Sequence, residues 1–150
     1  MMTSYDCLIE PITQSIFSSM FNIELMLAEE PSTSDTDMLR ATVNITGEWR
    51  GRVLLELSPE LACAAVAEML LLSAQNVTET DRREVTTELV NMIGGNIKSA
   101  LPGPSFLSLP TILSEAEFAE HLHLAEVELI EDVTLMSEHG PIRVRLIAAE

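Results

Sequence analysis

Glu88 and Asn91 stand one helical turn apart in VTTELVNMIGGNIKSALPG, the segment from Val85 to Gly103. A carboxylate only accepts hydrogen bonds, whereas a carboxamide both donates and accepts them. The two point the same way and so belong to one polar stripe. On a helix advancing about 100° per residue, Glu84, Glu88, Asn91, Gly95 and Lys98 share one arc. Val85, Leu89, Met92, Ile93, Ile97 and Ala100 share another, the core face. Glycine in a helix interior costs about 1 kcal/mol relative to alanine, yet Gly94 and Gly95 lie side by side here. Gly95, with no side chain, opens the polar stripe to close approach by another surface. Two blander readings stand beside this one. The stripe can be a solvated face, and the glycines can mark a tight helix–helix crossing. Asn96 falls near the core arc, where an amide needs a hydrogen-bond partner, so it reads as structural.

Other chemistry is thinner. His121 and His123 share a strand face if their segment is extended, and Glu120 or Glu126 lies close by. No third ligand has a recognisable spacing, which favours exposed strand histidines over a metal site. His139, in SEHGP, reads as a turn residue. No glycine-rich phosphate loop is present, because Gly94–Gly95 lacks a following Lys-Ser/Thr pair. Neither Cys7 nor Cys63 has a neighbouring base for nucleophilic catalysis. Without close spacing they read as reduced core thiols of a cytoplasmic protein. Trp49, beside Arg50, is either an exposed contact residue or a cover for the helix layer.

The chain has 150 residues, 47 % of them hydrophobic and only 4 % aromatic. It reads as one domain over 1–150 with a core of Leu, Ile, Val, Met and Ala. Twenty-four acids against eight bases give a formal net charge of −16. Such a field repels nucleic acid and anionic lipid; it either favours a partner with a basic patch or simply keeps the chain soluble. No apolar run reaches the roughly 20 residues of a membrane span, and MMTSYDCLIEPITQ lacks the pattern of a signal peptide.

The elements that must position the stripe follow from pattern. A first helix is expected from Ser4 to about Met20, capped by Thr3 or Ser4, with Leu8, Ile12, Ile16 and Met20 inward. Pro11 bends it or moves its start. Asn22–Ala28 either extends it or forms a short strand, and Glu29–Asp37 is a polar loop. MLRATVNITG and RVLLELS, around EWRG, read as a hairpin. Ser58 and Pro59 open a helix to about Leu72, with Leu61, Ala65 and Met69 inward. Thr78 or Thr80 begins the motif helix, which stops at Pro102-Gly103-Pro104. SFLSLPTIL is extended, and SEAEFAEH is a loop or brief helical turn. LHLAEVELIEDVTLM and PIRVRLIAA form a second hairpin around SEHG, its register unfixed between 113 and 136. The order predicts an α+β fold: an antiparallel sheet from two hairpin regions, layered with helices including a long central motif helix.

ELVNMIGGNIKSAL, Glu88 to Leu101, resembles the central helix of the CheX branch of the CheC/CheX/FliY chemotaxis phosphatases. That family carries an E-x-x-N motif followed by G-N and small residues, and SLP, Ser108–Pro110, resembles the extended segment after the helix. The resemblance implies a CheC-like fold and a phosphatase acting on the phosphoaspartate of a CheY-like response regulator. Asn91 would then orient the attacking water and Glu88 would engage the partner's active-site lysine, with Glu84, Gly95 and Lys98 contacting the partner. The chain itself would bind no cofactor, Mg²⁺ being held by the regulator. The resemblance also implies a homodimer whose sheet edges pair. Glu84 stands where the family often has Asp or Ser. Members with two sites carry a second motif in an earlier helix. Glu10-Pro11-Ile12-Thr13 has threonine in the asparagine's place, which leaves one site.

Two other readings use the same stripe. One is a CheX-like module that docks a response regulator or flagellar switch component without hydrolysis. The other is a self-associating domain whose Gly94–Gly95 notch serves packing.

Overall fold

The structure, a computed structural model, describes residues 7–29, 37–123 and 128–149. Its centre is an antiparallel sheet of seven strands in the order β1-β6-β7-β3-β2-β4, with β5 also pairing β2. These are β1 (Met26–Leu27), β2 (Leu39–Gly47), β3 (Gly51–Leu57), β4 (Ser105–Leu107), β5 (Thr111–Leu113), β6 (Glu128–Ser137) and β7 (Gly140–Ala148). Helices α1 (Ile9–Phe21), α2 (Pro59–Leu70) and α3 (Glu79–Ala100) pack together on one face. Helix α4 (Glu115–His123) lies on the other. Both expected hairpins form, and the α+β architecture is the one the sequence predicts.

Strand alternation divides the side chains between the faces. Val43, Ile45, Val53, Leu55, Val144 and Leu146 point into the main core with the three helices. The aliphatic core predicted from composition is there, joined by Trp49 and an edge-to-face pair of Phe17 and Phe21 with centroids 5.2 Å apart. Trp49 is therefore a cover and not an exposed contact residue. On the opposite face Leu54, Leu113 and Ile147 meet Phe118 of α4. Beside them Glu56, buried, accepts from Arg40 at 3.3 Å and Arg145 at 2.9 Å. Asp132 takes a two-pronged bond from Arg143, at 2.8 and 2.7 Å. Burial alone would raise the Asp132 carboxyl, but the Arg143 bonds and the charges of Arg143 and Arg145 outweigh it and hold it below its ordinary value.

Several expectations change. Helix α1 starts at Ile9, and its first amides are capped from across the fold. Glu131 Oε1 accepts from Leu8 N at 2.9 Å and Ile9 N at 3.1 Å. Thr3 and Ser4, and residues 30–36 of the polar loop, lie outside the described residues. Pro11 falls in the first turn, where a missing N–H leaves no helical bond unmade. Asn22, left-handed at φ 54°, ends the helix, and the short strand β1 follows. The inward face of α1 is Ile9, Thr13, Ile16, Phe17 and Phe21, with Met20 exposed. Met69 of α2 is likewise exposed rather than inward. Steps of four residues drift about 40° each around a helix, so long i, i+4 runs leave the core. Ser58 caps α2 as expected, accepting from Leu61 N at 3.0 Å, and the helix stops at Leu70.

Of the two readings of the segment after β5 the helical one holds, and the helix runs nine residues, into the stretch expected as strand. Ser114 and Glu117 form a reciprocal cap, at 2.8 and 3.1 Å. The amide and hydroxyl of Ser114 hold the Glu117 carboxyl below its ordinary range. His121 accordingly sits on α4, its Nδ1 2.9 Å from the Glu117 carbonyl. His123 ends that helix, so the two histidines share no strand face. Among the described residues no group of three metal-ligating side chains comes together. Residues 124–127 of the expected strand lie outside the described residues, and β6 begins at Glu128. Its register against β7 shifts between Leu129 and Glu131. Both cysteines are free, but Cys7 is exposed and Cys63 only half-buried, so neither is a core thiol. His139 is in the β6–β7 turn, as read.

Candidate functional site

Helix α3 is the longest element, and its start is fixed by a full capping box. Thr78 Oγ1 accepts from Asp81 N at 3.1 Å, and Asp81 Oδ2 accepts from Thr78 N at 3.0 Å. The helix lies across β2 and β3, burying Val85, Thr86, Leu89, Val90, Ile93, Gly94 and Ile97. Within the expected core arc, Met92 is only half-buried and Ala100 is exposed.

The opposite stripe is open. Glu84 and Glu88 are exposed, and Asn91, Gly95 and Lys98 are half-buried. Among the described residues, no hydrogen bond or ion pair ties down the side chain of Glu88 or Asn91. The pair therefore presents a free carboxylate and a free carboxamide one turn apart. Asn96 also faces solvent and bonds back to the Met92 carbonyl at 2.8 Å. Reading it as a core amide placed it one arc too far inward.

The two glycines do different things. A Cβ on Gly94 would lie 2.6 Å from Val43 Cγ1, so this glycine lets α3 settle on β2. The close crossing is helix on sheet, not helix on helix. Among the described residues outside its own helix turn, a Cβ on Gly95 would meet nothing nearer than Leu107 Cδ2 at 4.0 Å. Gly95 thus leaves a gap in the stripe without serving the protein's own packing.

Ser108, in the SLP segment, anchors the chain beneath this helix. Its hydroxyl accepts from Asn44 N at 2.9 Å, and its amide donates to Asn44 O at 2.9 Å. This bridges β4 to β5 along the β2 edge. In the earlier helix Thr13 is fully buried, so Glu10 and Thr13 form no second exposed pair. One feature of the neighbourhood had no sequence signal: Met69 and Leu70 of α2 come beside Glu84 and Glu88.

The fold is that of the CheC-like proteins. A CheC-like superfamily protein from Shewanella sp. PV-4 matches over 100 % of both chains with TM-score 0.77 and 14 % identity. Chemotaxis protein CheX from Desulfovibrio desulfuricans matches with TM-score 0.72 and 18 % identity, over 98 % of this chain and 100 % of that one. The chain in a CheX-CheY-BeF3-Mg²⁺ complex from Borrelia burgdorferi matches with TM-score 0.71 and 17 % identity, over 97 % and 98 %. No curated protein matches by sequence. The model of the family described as "Chemotaxis phosphatase CheX" matches residues 39–130, and the chain belongs to that family. No helix among the described residues is long and apolar enough to cross a membrane.

Proposed function

We propose that this CheX-family phosphatase hydrolyses the aspartyl phosphate of a CheY-type response regulator by inserting the Glu88–Asn91 face of α3 beside the phosphorylated residue. The observation that carries the reading is that neither side chain, Glu88 exposed and Asn91 half-buried, is engaged by any group among the described residues. Hydrolysis of an acyl phosphate needs an in-line water and charge neutralisation rather than a protein nucleophile. The Asn91 carboxamide accepts from that water through its oxygen and turns its NH₂ toward the phosphoryl oxygens. A carboxylate at this position would repel them. Glu88 forms a charge-assisted bond to the regulator's lysine, which fixes the helix in register. Gly95 and Lys98 face the partner, as does Glu84. The Mg²⁺ that neutralises phosphoryl charge is held by the regulator and not by this chain.

The same reading extends to a cytoplasmic homodimer. The sheet ends at the two-residue β1, where Met26 and Leu27 are exposed, which supports pairing of edges. The activity is tested by adding this chain in catalytic amount to a CheY-type regulator phosphorylated with acetyl phosphate. Accelerated loss of phosphate over many turnovers is expected. Binding to the regulator without acceleration would replace the phosphatase by a docking module.

A further inference from the structure

A notch of about 130 Å³ opens between α2 and α3, directly beside the Glu88 stripe. Val66 and Val85 form its buried part, Met69 and Leu70 its apolar rim, and Asp81, Glu84 and Glu88 its acidic rim. Met69 is 42 % exposed and Leu70 51 %. Leu71 follows in the left-handed conformation at φ 55° and is 89 % exposed. A helix end of this type ordinarily takes glycine, whereas the chain has here a leucine that stands almost fully exposed.

We propose that this notch is a specificity-determining docking pocket for one aliphatic side chain of the response regulator, flanked on the regulator by a lysine or arginine. The proposal rests on the phosphatase reading above and adds a residue-level determinant of partner choice. Three observations select that occupant. Glu88 borders both the notch and the candidate site, so a regulator seated on one necessarily covers the other. The size suits a single side chain, since an apolar cavity of about 150 Å³ holds one benzene-sized group. Glu84 and Glu88 on the rim, within a chain of net charge −16, favour a cationic neighbour for that apolar group.

The pocket lies beside the reacting centre and not in it. It therefore binds ground state and transition state alike, and acts on KM and not on kcat. The test uses a CheY-type regulator in two forms: phosphorylated with acetyl phosphate for kinetics, and held with beryllofluoride and Mg²⁺ for affinity. The double variant Met69→Ser/Leu70→Ser is expected to raise KM and Kd about tenfold, the loss of one anchor residue, with kcat within about twofold of the parent. Met69→Leu keeps the apolar rim and is expected to bind like the parent. Glu84→Lys alters only an exposed helix position and is expected to weaken binding, most at low ionic strength.

An unchanged KM and Kd in the folded double variant overturns the pocket while leaving the phosphatase reading intact. Should the double variant fail to fold, unchanged affinity of Glu84→Lys overturns it instead. If the parent binds the regulator without turnover, the phosphatase reading falls and the affinity measurements still decide the pocket. A parent that neither binds nor dephosphorylates the regulator overturns both.

Discussion

Gly94 and Gly95 are chain neighbours with opposite surroundings. A Cβ on the first would press on Val43 Cγ1 at 2.6 Å, and a Cβ on the second would stand 4.0 Å from Leu107 Cδ2. One glycine seats the helix on the sheet and the other leaves room for something outside the chain.

Gly95→Ala removes a helix-interior glycine without a clash, so it should raise unfolding stability by about 0.5–1 kcal/mol. The same methyl narrows the stripe and should slow regulator dephosphorylation. Gly94→Ala should lower stability, because branched Val43 cannot swing aside. Denaturant melts of the two variants read both signs. Equal stabilisation by both would contradict the packing of α3 on β2.

Glu56 is the shared acceptor of Arg40 and Arg145 beneath α4. Glu56→Ala leaves two guanidinium groups without that partner in a buried place. Breaking such a pair from one side costs about 3–5 kcal/mol, and a loss of that order is expected in the melting free energy. The site on α3 lies on the other face of the sheet, so kcat of the protein that remains folded should not change.

Asp132 titrates lower in the folded chain than in the unfolded one, since its bonds and charge contacts with Arg143, aided by Arg145, outweigh its burial. A depressed carboxylate contributes stability that is complete above its unfolded value, about 3.9, and is lost as pH falls through the folded value. The melting midpoint of the parent should therefore drop on acidification below about pH 4. Asp132→Asn should show a lower midpoint at neutral pH and a shallower acid decline. An identical acid slope in the two proteins would remove Asp132 from the account.

Local signals carried much of this structure. The box at Thr78 and Asp81 and the Ser58-Pro59 start are chemistry between near neighbours, and both helices begin where those residues stand. The alternation in β2 and β3 marks an inner and an outer face. It does not say that α4 covers part of the outer one, which is why the cluster around Glu56 was not foreseen. Ser114 and Glu117 carry a capping pattern, and Phe118 with Leu122 gives the matching apolar spacing, which makes the expected brief helical turn a nine-residue helix. The cap on α1 comes from Glu131, far along the chain, and no local pattern announces it. The stripe from Glu84 to Lys98 was legible because helical geometry alone sets which side chains share an arc. The neighbouring notch was not, since it depends on how α2 meets α3.

The central claim is that Asn91 acts on the reacting water while the rest of the stripe holds the regulator. Single-turnover dephosphorylation of a phosphorylated CheY-type regulator, compared between the parent and Asn91→Ala, tests it most directly. The claim predicts that Asn91→Ala loses about a hundredfold or more in rate while its melting midpoint and its affinity for the beryllofluoride-bound regulator stay close to the parent's. Phosphate loss at the parent's rate in the folded, regulator-bound variant would contradict it.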